Sequence, residues 1–413
     1  MANVPDSEKV NLDLAAIDDR LEALQKVKSD KPYQKQKSSL QRELERFLHS
    51  LSSPKSLLSA TPQDLTRFLI WKDKGGKTKI HLPQCKHFGV SGKARCQCPT
   101  RLAAGTVDNL IGKLRSIFIE AGRGDVWNDV LGVGNPAAHR SVKQYLSSVR
   151  EEQAKARVFK KQATPIFFEK LTKLCLYLRG LVFSKGATAV QRYLYARDLA
   201  FFCLDFYSGD RASDLGKTFT KEIVSLPDGN GFLFRHTFGK TLRGGGKTNT
   251  FMVKECPDPK TCPVANLKLY VKLCDLMSVN LREGFLFRVL NSRNEISEEP
   301  FVGSSIANRL ALHLRSAGIY DGETMHSFRS GCSITLSLLG VPAEDVARHV
   351  GWSSTVTADY YSQTGKVMNS DSVATSLAMS TALSPVEGRP LASVVTQVFS
   401  EKNDMRNLSL AFP

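Results

Sequence analysis

Four short stretches of this sequence hold side chains able to act together on a phosphodiester. YSGDRASDL carries Arg211 and Asp214, FGKTLRGGGKT carries Lys240, MHSFRSG carries His326 and Arg329, and ARHVGWSSTVTADYYSQ carries His349, Trp352 and the adjacent Tyr360 and Tyr361. In-line displacement at phosphorus builds charge on two non-bridging oxygens, and two guanidiniums with forked donors can hold and neutralise them, a task that suits Arg211 and Arg329. The leaving 5′ oxygen needs a proton, which a lysine ammonium such as that of Lys240 can supply as general acid. A tyrosine hydroxyl, with an ordinary pKa of about 10, must lose its proton as it attacks; a cationic pocket and a neighbouring imidazole, His326, both favour this. The product would be a 3′-phosphotyrosine that stores the bond energy, so rejoining would need neither ATP nor a catalytic metal. Singly, each fragment has a plainer reading: a His and an Arg three apart on a helix commonly bridge carboxylates, a hairpin lysine is a solvated charge, and paired tyrosines pack. The argument rests on the four together and on their order.

The elements that must position these groups can be read from pattern. The chain has 413 residues, more than one core usually serves, so two compact domains with tails are expected. Residues 1–31 read as a loosely held arm with one short amphipathic stretch. Residues 32–157 are helical: QKSSLQRELERFLHSL, TPQDLTRFLIWKD, CPTRLAAGTVDNLIGKLRSIFIEAG and AAHRSVKQYLSSVREEQAKAR all place apolar residues at i, i+3, i+4 and predict a four-helix bundle. Thr61, Pro62 and Asp64 form a helix-start signal. A basic linker spans 158–164 and ends at Pro165. Residues 165–365 read as mixed α/β, with helices over 166–182 and 189–207 and a strand pair over 231–254. That pair, GFLFRHTFGK and TNTFMVK, flanks the glycine-rich turn LRGGGKTN, and a further β-run, GFLFRVL, follows. Residues 366–413 form a tail whose apolar stretch PLASVVTQVFSE is long enough for a docking helix. The fold class expected is mostly α with a small β-sheet.

Bulk composition points to nucleic acid. Lys and Arg number 57 against 40 Asp and Glu, a formal net charge of +17, and the pI is near 9.5. Apolar runs stay short of membrane length, and NLDLAAIDDRLEALQ carries acids unsuited to a secretory leader, so a cytosolic or nuclear protein without disulfides is expected.

The four fragments, taken in order, resemble the catalytic domain of the tyrosine recombinases, the phage-integrase family, over residues 165–365. That family runs Arg, acid, Lys on a β-hairpin, HxxR, His or Trp, then Tyr. Arg211, Asp214, Lys240, His326, Arg329, Trp352 and Tyr361 fill the pattern. The resemblance selects Tyr361 over Tyr360, since the family's tyrosine falls nine residues after the His/Trp position, and Trp352 over His349. Asp214 would orient Arg211, and Trp352 would pack the site and offer its indole N–H to phosphate. The resemblance implies a helical core-binding domain closing with the catalytic domain around double-stranded DNA. Four strand cleavages would need a homotetramer on DNA, formed from a largely monomeric free protein. A type IB topoisomerase shares the chemistry and is the nearest alternative enzyme; a recombinase-derived DNA-binding regulator is the alternative outside enzymes.

One motif interrupts the helical half over residues 77–99. His81 precedes Cys85 by four residues, and Cys96 and Cys98 follow beyond a short Gly-containing loop; three thiols and an imidazole make a closed tetrahedral set for structural Zn²⁺, with His87 a rival ligand. Cys175, Cys203, Cys256, Cys262, Cys274 and Cys332 read as structural. From WKDKGGKTKIHLPQC to VKQYLSSVREEQAKAR, this half resembles the plant ALOG DNA-binding domain, HxxxC and CxC pairs included. That resemblance implies zinc, a eukaryotic nucleus, and descent from the recombinase of a DIRS-like mobile element. Lys77, Lys79, Lys86, Lys93, Arg95, Arg101, Lys113 and Arg115 are the basic residues around the loop and third helix expected to meet DNA phosphates.

Overall fold

The computed structural model describes residues 14–27, 31–90, 95–158, 163–237, 239, 248–352, 354–356 and 358–359. The chain divides into two compact units, Met1–Lys161 and Gln162–Pro413. Among the described residues no helix is long and apolar enough to cross a membrane.

In the first unit α1 (Leu14–Val27) exposes its apolar residues Leu14, Ile17, Leu21 and Leu24. The helices α2 (Lys31–His49), α3 (Pro62–Asp73), α4 (Ala104–Phe118) and α5 (Arg140–Lys155) enclose a core built on Leu44, Leu48, Phe68, Leu114 and Phe118. The start of α3 follows from its first four residues: Thr61 and Asp64 form a reciprocal capping box with Pro62 between them, and Lys55 pairs with the buried Asp64 carboxylate at 2.6 Å. By contrast α4 begins at Ala104, later than its apolar periodicity predicts, because Thr100–Arg101 is a strand (β2) paired antiparallel with β1 (Thr78–Lys79). Its start carries no capping side chain of its own. Gln153 of α5 does that work from a distance, accepting from the Ala104 amide at 3.0 Å and donating to the Leu102 carbonyl at 2.8 Å. A small hairpin, β3 (Trp127–Asn128) and β4 (Val133–Gly134), lies between α4 and α5.

The second unit is organised on α7 (Ala189–Ser208), which is buried on all sides from Ala196 to Phe206. A helix apolar all round must be wrapped, and α6 (Phe168–Val182), α9 (Pro263–Leu276) and α11 (His326–Leu338) wrap it. After α7 come α8 (Ala212–Leu215), then β5 (Ile223–Ser225), β6 (Gly231–His236) and β7 (Asn249–Lys254), which form an antiparallel sheet in that order. Register sets Phe234 opposite Phe251, their rings stacked 5.0 Å apart, and His236 opposite Asn249. On β7, Phe251 and Val253 face inward and their neighbours outward, the alternation of a one-sided sheet. Both predicted strands of the pair are present, and the predicted run GFLFRVL ends in β8 (Arg288–Leu290); β5 and the partner of β8, β9 (Ile296–Pro300), are strands that the sequence pattern did not predict. Helices α10 (Ser304–Ser316) and α12 (Ala343–Val350) complete the unit.

The chain enters this unit pressed onto α11. The Ile166 amide donates to the Ser327 carbonyl at 3.0 Å, the Thr164 hydroxyl donates to the Asp321 carbonyl at 3.2 Å, and Lys170 pairs with Glu323. Gly331 makes the approach possible, since a Cβ there would stand 1.8 Å from the Ile166 carbonyl oxygen.

Candidate functional site

Three segments far apart in sequence meet at one cleft of about 270 Å³, lined by Arg211, Ser213, Gly303, Met325, His326 and Arg329 among others. The turn Ser208–Arg211 is shaped by Gly209, which ends α7 at φ 56° and sits where a Cβ would lie 2.9 Å from Cys332 Sγ. Arg211 caps α8, and its guanidinium lies 3.6 Å from Asp214 one turn on, a loose ion pair. Helix α11 opens with His326 and carries Arg329 on its next turn, where the side chain is 2 % exposed. Arg329 Nη1 donates to the Gly209 carbonyl at 2.9 Å, and its guanidinium carbon lies 5.1 Å from the Trp352 ring centre. Burial, with Arg329 and Arg211 close by, holds the His326 imidazole below the ordinary histidine range, favouring the neutral ring. His349, the other candidate near Trp352, donates from Nε2 to the Tyr207 carbonyl at 2.8 Å. Lys240 and Tyr361 lie outside the described residues.

Beneath the cleft lies a set of buried acids and a histidine that sequence reading did not single out. Burial, reinforced by Asp210, pushes the Asp205 carboxyl well above the usual carboxylate range. His236, at the end of β6, stands 2.8 Å from Asp210, an ion pair whose angles depart from those of a straight hydrogen bond. Burial opposes charge on this ring, but Asp210 more than offsets it, with smaller support from Glu222 and Asp214, and His236 is held above the ordinary histidine range. A histidine raised on folding stabilises the native state fully below its unfolded pKa of about 6.5, and the contribution is lost as pH rises through the elevated value. Asp210→Asn is therefore expected to destabilise the protein at pH 6 by roughly 3–5 kcal/mol, the cost of breaking a buried pair. Denaturant melts of both proteins from pH 6 to pH 9 check this; a gap that fails to narrow with rising pH would contradict it.

In the first unit His81, Cys85, Cys96 and Cys98 offer ligand atoms that all lie within 4.8 Å of one another. His81 Nδ1 is 3.6 Å from Cys85 Sγ and 3.4 Å from Cys96 Sγ. A zinc tetrahedron with ~2.3 Å Zn–S and ~2.0 Å Zn–N arms has N···S edges of about 3.5 Å, so the set fits a metal ion. His87 is outside it, its ring centre 5.9 Å from that of His81. Lys79 closes the loop from below, donating to the Cys96 and Cys98 carbonyls at 3.0 Å each. Cys175, Cys203, Cys262, Cys274 and Cys332 are buried thiols, and Cys256 is partly covered.

The other basic residues divide by their partners. Arg101 reaches Asp73 at 3.2 Å, Arg115 donates to the Asp125 carbonyl at 2.9 Å, and Lys113 donates to Gln36 at 2.8 Å. Lys77, Lys86 and Arg95 are exposed, and Lys93 lies outside the described residues.

Comparison with known proteins gives two kinds of match. Residues 22–151 match the ALOG domain. The Arabidopsis thaliana protein LIGHT-DEPENDENT SHORT HYPOCOTYLS 5 is 38% identical over 112 residues, 27% of this chain and 58% of that protein. The Oryza sativa subsp. japonica protein G1-like5 is 40% identical over 112 residues, 27% of this chain and 52% of its own. The chain thus spans little more than half the length of the curated relatives it matches. Among solved structures, a lambda integrase dimer bound to a COC′ core site is 13% identical, with a TM-score of 0.47, over 84% of this chain and 76% of that one. The Tn1549 transposon integrase in complex with transposon right end DNA is 12% identical, with a TM-score of 0.47, over 83% and 92%. The chain therefore matches the ALOG domain over residues 22–151.

Proposed function

We propose that this protein cleaves and rejoins double-stranded DNA through a phosphotyrosine intermediate, as the site-specific recombinase or integrase of a mobile element. The observation that carries the reading is the convergence of Arg211 with His326 and Arg329, which lie more than a hundred residues further along the chain, on one cleft, with Trp352 against Arg329. Two guanidiniums there would hold the non-bridging oxygens of a scissile phosphate and stabilise the charge that grows on them. His326, kept in its neutral form by the lowered imidazole pKa, would be the group that takes the proton the attacking phenol loses. Tyr361 would be the nucleophile, Lys240 the acid for the leaving 5′ oxygen, and Asp214 the residue steering Arg211. Exchange between two duplexes would require four such sites, hence a homotetramer assembled on DNA, acting in a nucleus.

The first unit would bind DNA. Lys77, Lys86, Arg95 and Arg115 are exposed cations suited to phosphate, Lys79, Arg101 and Lys113 are partly covered, and Lys93, outside the described residues, would add to the same charge. Zn²⁺ held by His81, Cys85, Cys96 and Cys98 would fix the loop that presents them. The helical core is built from α2–α5 and not from this loop, so metal removal is expected to release the loop and spare the bundle. Native protein should carry one zinc per chain and Cys96→Ser none. Chelation should erase amide-exchange protection over residues 79–102 while α3 and α4 keep theirs; collapse of the whole unit would contradict this division.

The experiment that tests the main reading is a pool of nicked duplexes of randomised sequence, in which cleavage releases a short fragment that cannot return. Denaturant-resistant protein–DNA adducts, recovered and sequenced, would establish the chemistry and identify the site. The ALOG match favours one other reading, a regulator that binds DNA without cutting it. Specific binding with no adduct under any condition would decide for that reading.

A further inference from the structure

The buried pair His236 and Asp210 has no part in the chemistry above, yet its geometry is directed at that chemistry. His236 is 2 % exposed and Asp210 4 %. The imidazole touches both ends of the turn that carries Arg211 and Asp214. Its Nδ1 faces Asp210, the residue before Arg211, and its Nε2 lies 2.8 Å from Thr218 Oγ1, just beyond the end of α8. The Thr218 hydroxyl spends its proton on the Leu215 carbonyl at 2.7 Å. Its oxygen must then accept from Nε2–H, which leaves Nδ1 facing the Asp210 carboxylate at 2.8 Å. The edge-on Phe251 ring, 5.4 Å away, shuts the ring in. A buried charge pair is a poor source of net stability compared with apolar packing of the same volume, but it admits only one arrangement of its partners. Here the partners are the last residue of a sheet strand and the two ends of a four-residue helix.

We propose that His236, paired with Asp210, is a positioning residue that locks the Arg211–Asp214 turn against β6 so that Arg211 faces the same cleft as His326 and Arg329. The inference rests on the strand-cleavage reading of that cleft. In sequence β6 is also the strand from which the chain runs on to Lys240, the proposed general acid, so His236 stands on the strand that leads to one proposed catalytic group and against the turn that bears another, Arg211.

The test uses a nicked duplex carrying the trapped site, with wild type, Asp210→Asn, His236→Gln and the double variant. Two quantities are read: the single-turnover adduct rate at saturating protein, and the non-covalent Kd. Misplacing a catalytic group by an ångström costs up to about 100-fold, so each single variant is expected to lose about 10- to 100-fold in rate while Kd stays within about threefold. The double variant, whose two amides leave no unpaired buried charge, should recover about tenfold over the poorer single variant. Wild-type rates in both single variants would overturn the proposal, as would a rate loss that only tracks the fraction of unfolded protein measured by circular dichroism. If wild type forms no adduct, the cleavage reading has failed and the pair is judged on inorganic phosphate instead. Phosphate binding that is lost in Arg211→Ala and weakened at least tenfold in Asp210→Asn supports positioning. Binding equal to wild type in Asp210→Asn, or no Arg211-dependent phosphate binding, overturns it.

Discussion

Tyr361→Phe is expected to abolish the denaturant-resistant DNA adduct while leaving DNA affinity within about twofold, and Tyr360→Phe is expected to keep the adduct. The removed atom is the proposed nucleophile itself, so on that reading no geometric adjustment compensates. A phenylalanine ring cannot form the ester, and the loss should exceed the roughly 10²–10⁴-fold that removal of an acid or base costs. Preserved affinity follows because phosphate contacts spread over many cations dominate DNA binding. An adduct that survives Tyr361→Phe and disappears with Tyr360→Phe would move the nucleophile by one residue; an adduct surviving both would remove tyrosine from the reaction.

Arg329→Lys is expected to lower the adduct rate by about 10²–10³-fold, the usual cost of losing one fixed donor to a developing oxyanion, with Kd changed only a few-fold. The substitution keeps the charge and removes the fork. Arg329 donates to the Gly209 carbonyl with one nitrogen and lays its guanidinium plane near Trp352. An ammonium on a flexible stem cannot hold that carbonyl and aim further donors into the cleft in fixed directions. The same argument separates the two arginines. Arg329 is 2 % exposed and braced, whereas Arg211 is more open and held by a 3.6 Å pair to Asp214. Single-turnover rates at saturating protein make the comparison, and an Arg329→Lys protein cleaving at the wild-type rate would take this residue out of the proposed mechanism.

Much of the fold was legible because local rules and tertiary demands agree. The helices at 168–182 and 189–208 follow their apolar patterns, and the Thr61–Asp64 box starts α3 where its residue types predict. The strands of the β6–β7 pair are visible because each side alternates. What was hidden depends on partners distant in sequence. Three residues of β5 and the polar β9 become strands only because a neighbour offers a ladder. The start of α4 is displaced by a two-residue strand and capped by a glutamine 49 positions away. At the site, Arg211, His326 and Arg329 could be listed because their types and order match the family that the sequence resembles, and the structure sets them on one cleft. His236 could not, since an isolated histidine at a strand end carries no signal until Asp210 and Thr218 are placed beside it. Lys79 shows the same limit: among many lysines around the loop, only its position under the Cys96 and Cys98 carbonyls distinguishes it.

The way the chain enters the second unit has a mechanical side. Thr164, Ile166 and Lys170 are fastened at Asp321, Ser327 and Glu323, and the bare backbone of Gly331 lets the segment lie flush along the helix. These anchor points bracket His326. Load applied at Thr164 would therefore be delivered to the first turn of α11, one residue from that imidazole, as by a tendon inserted beside a joint.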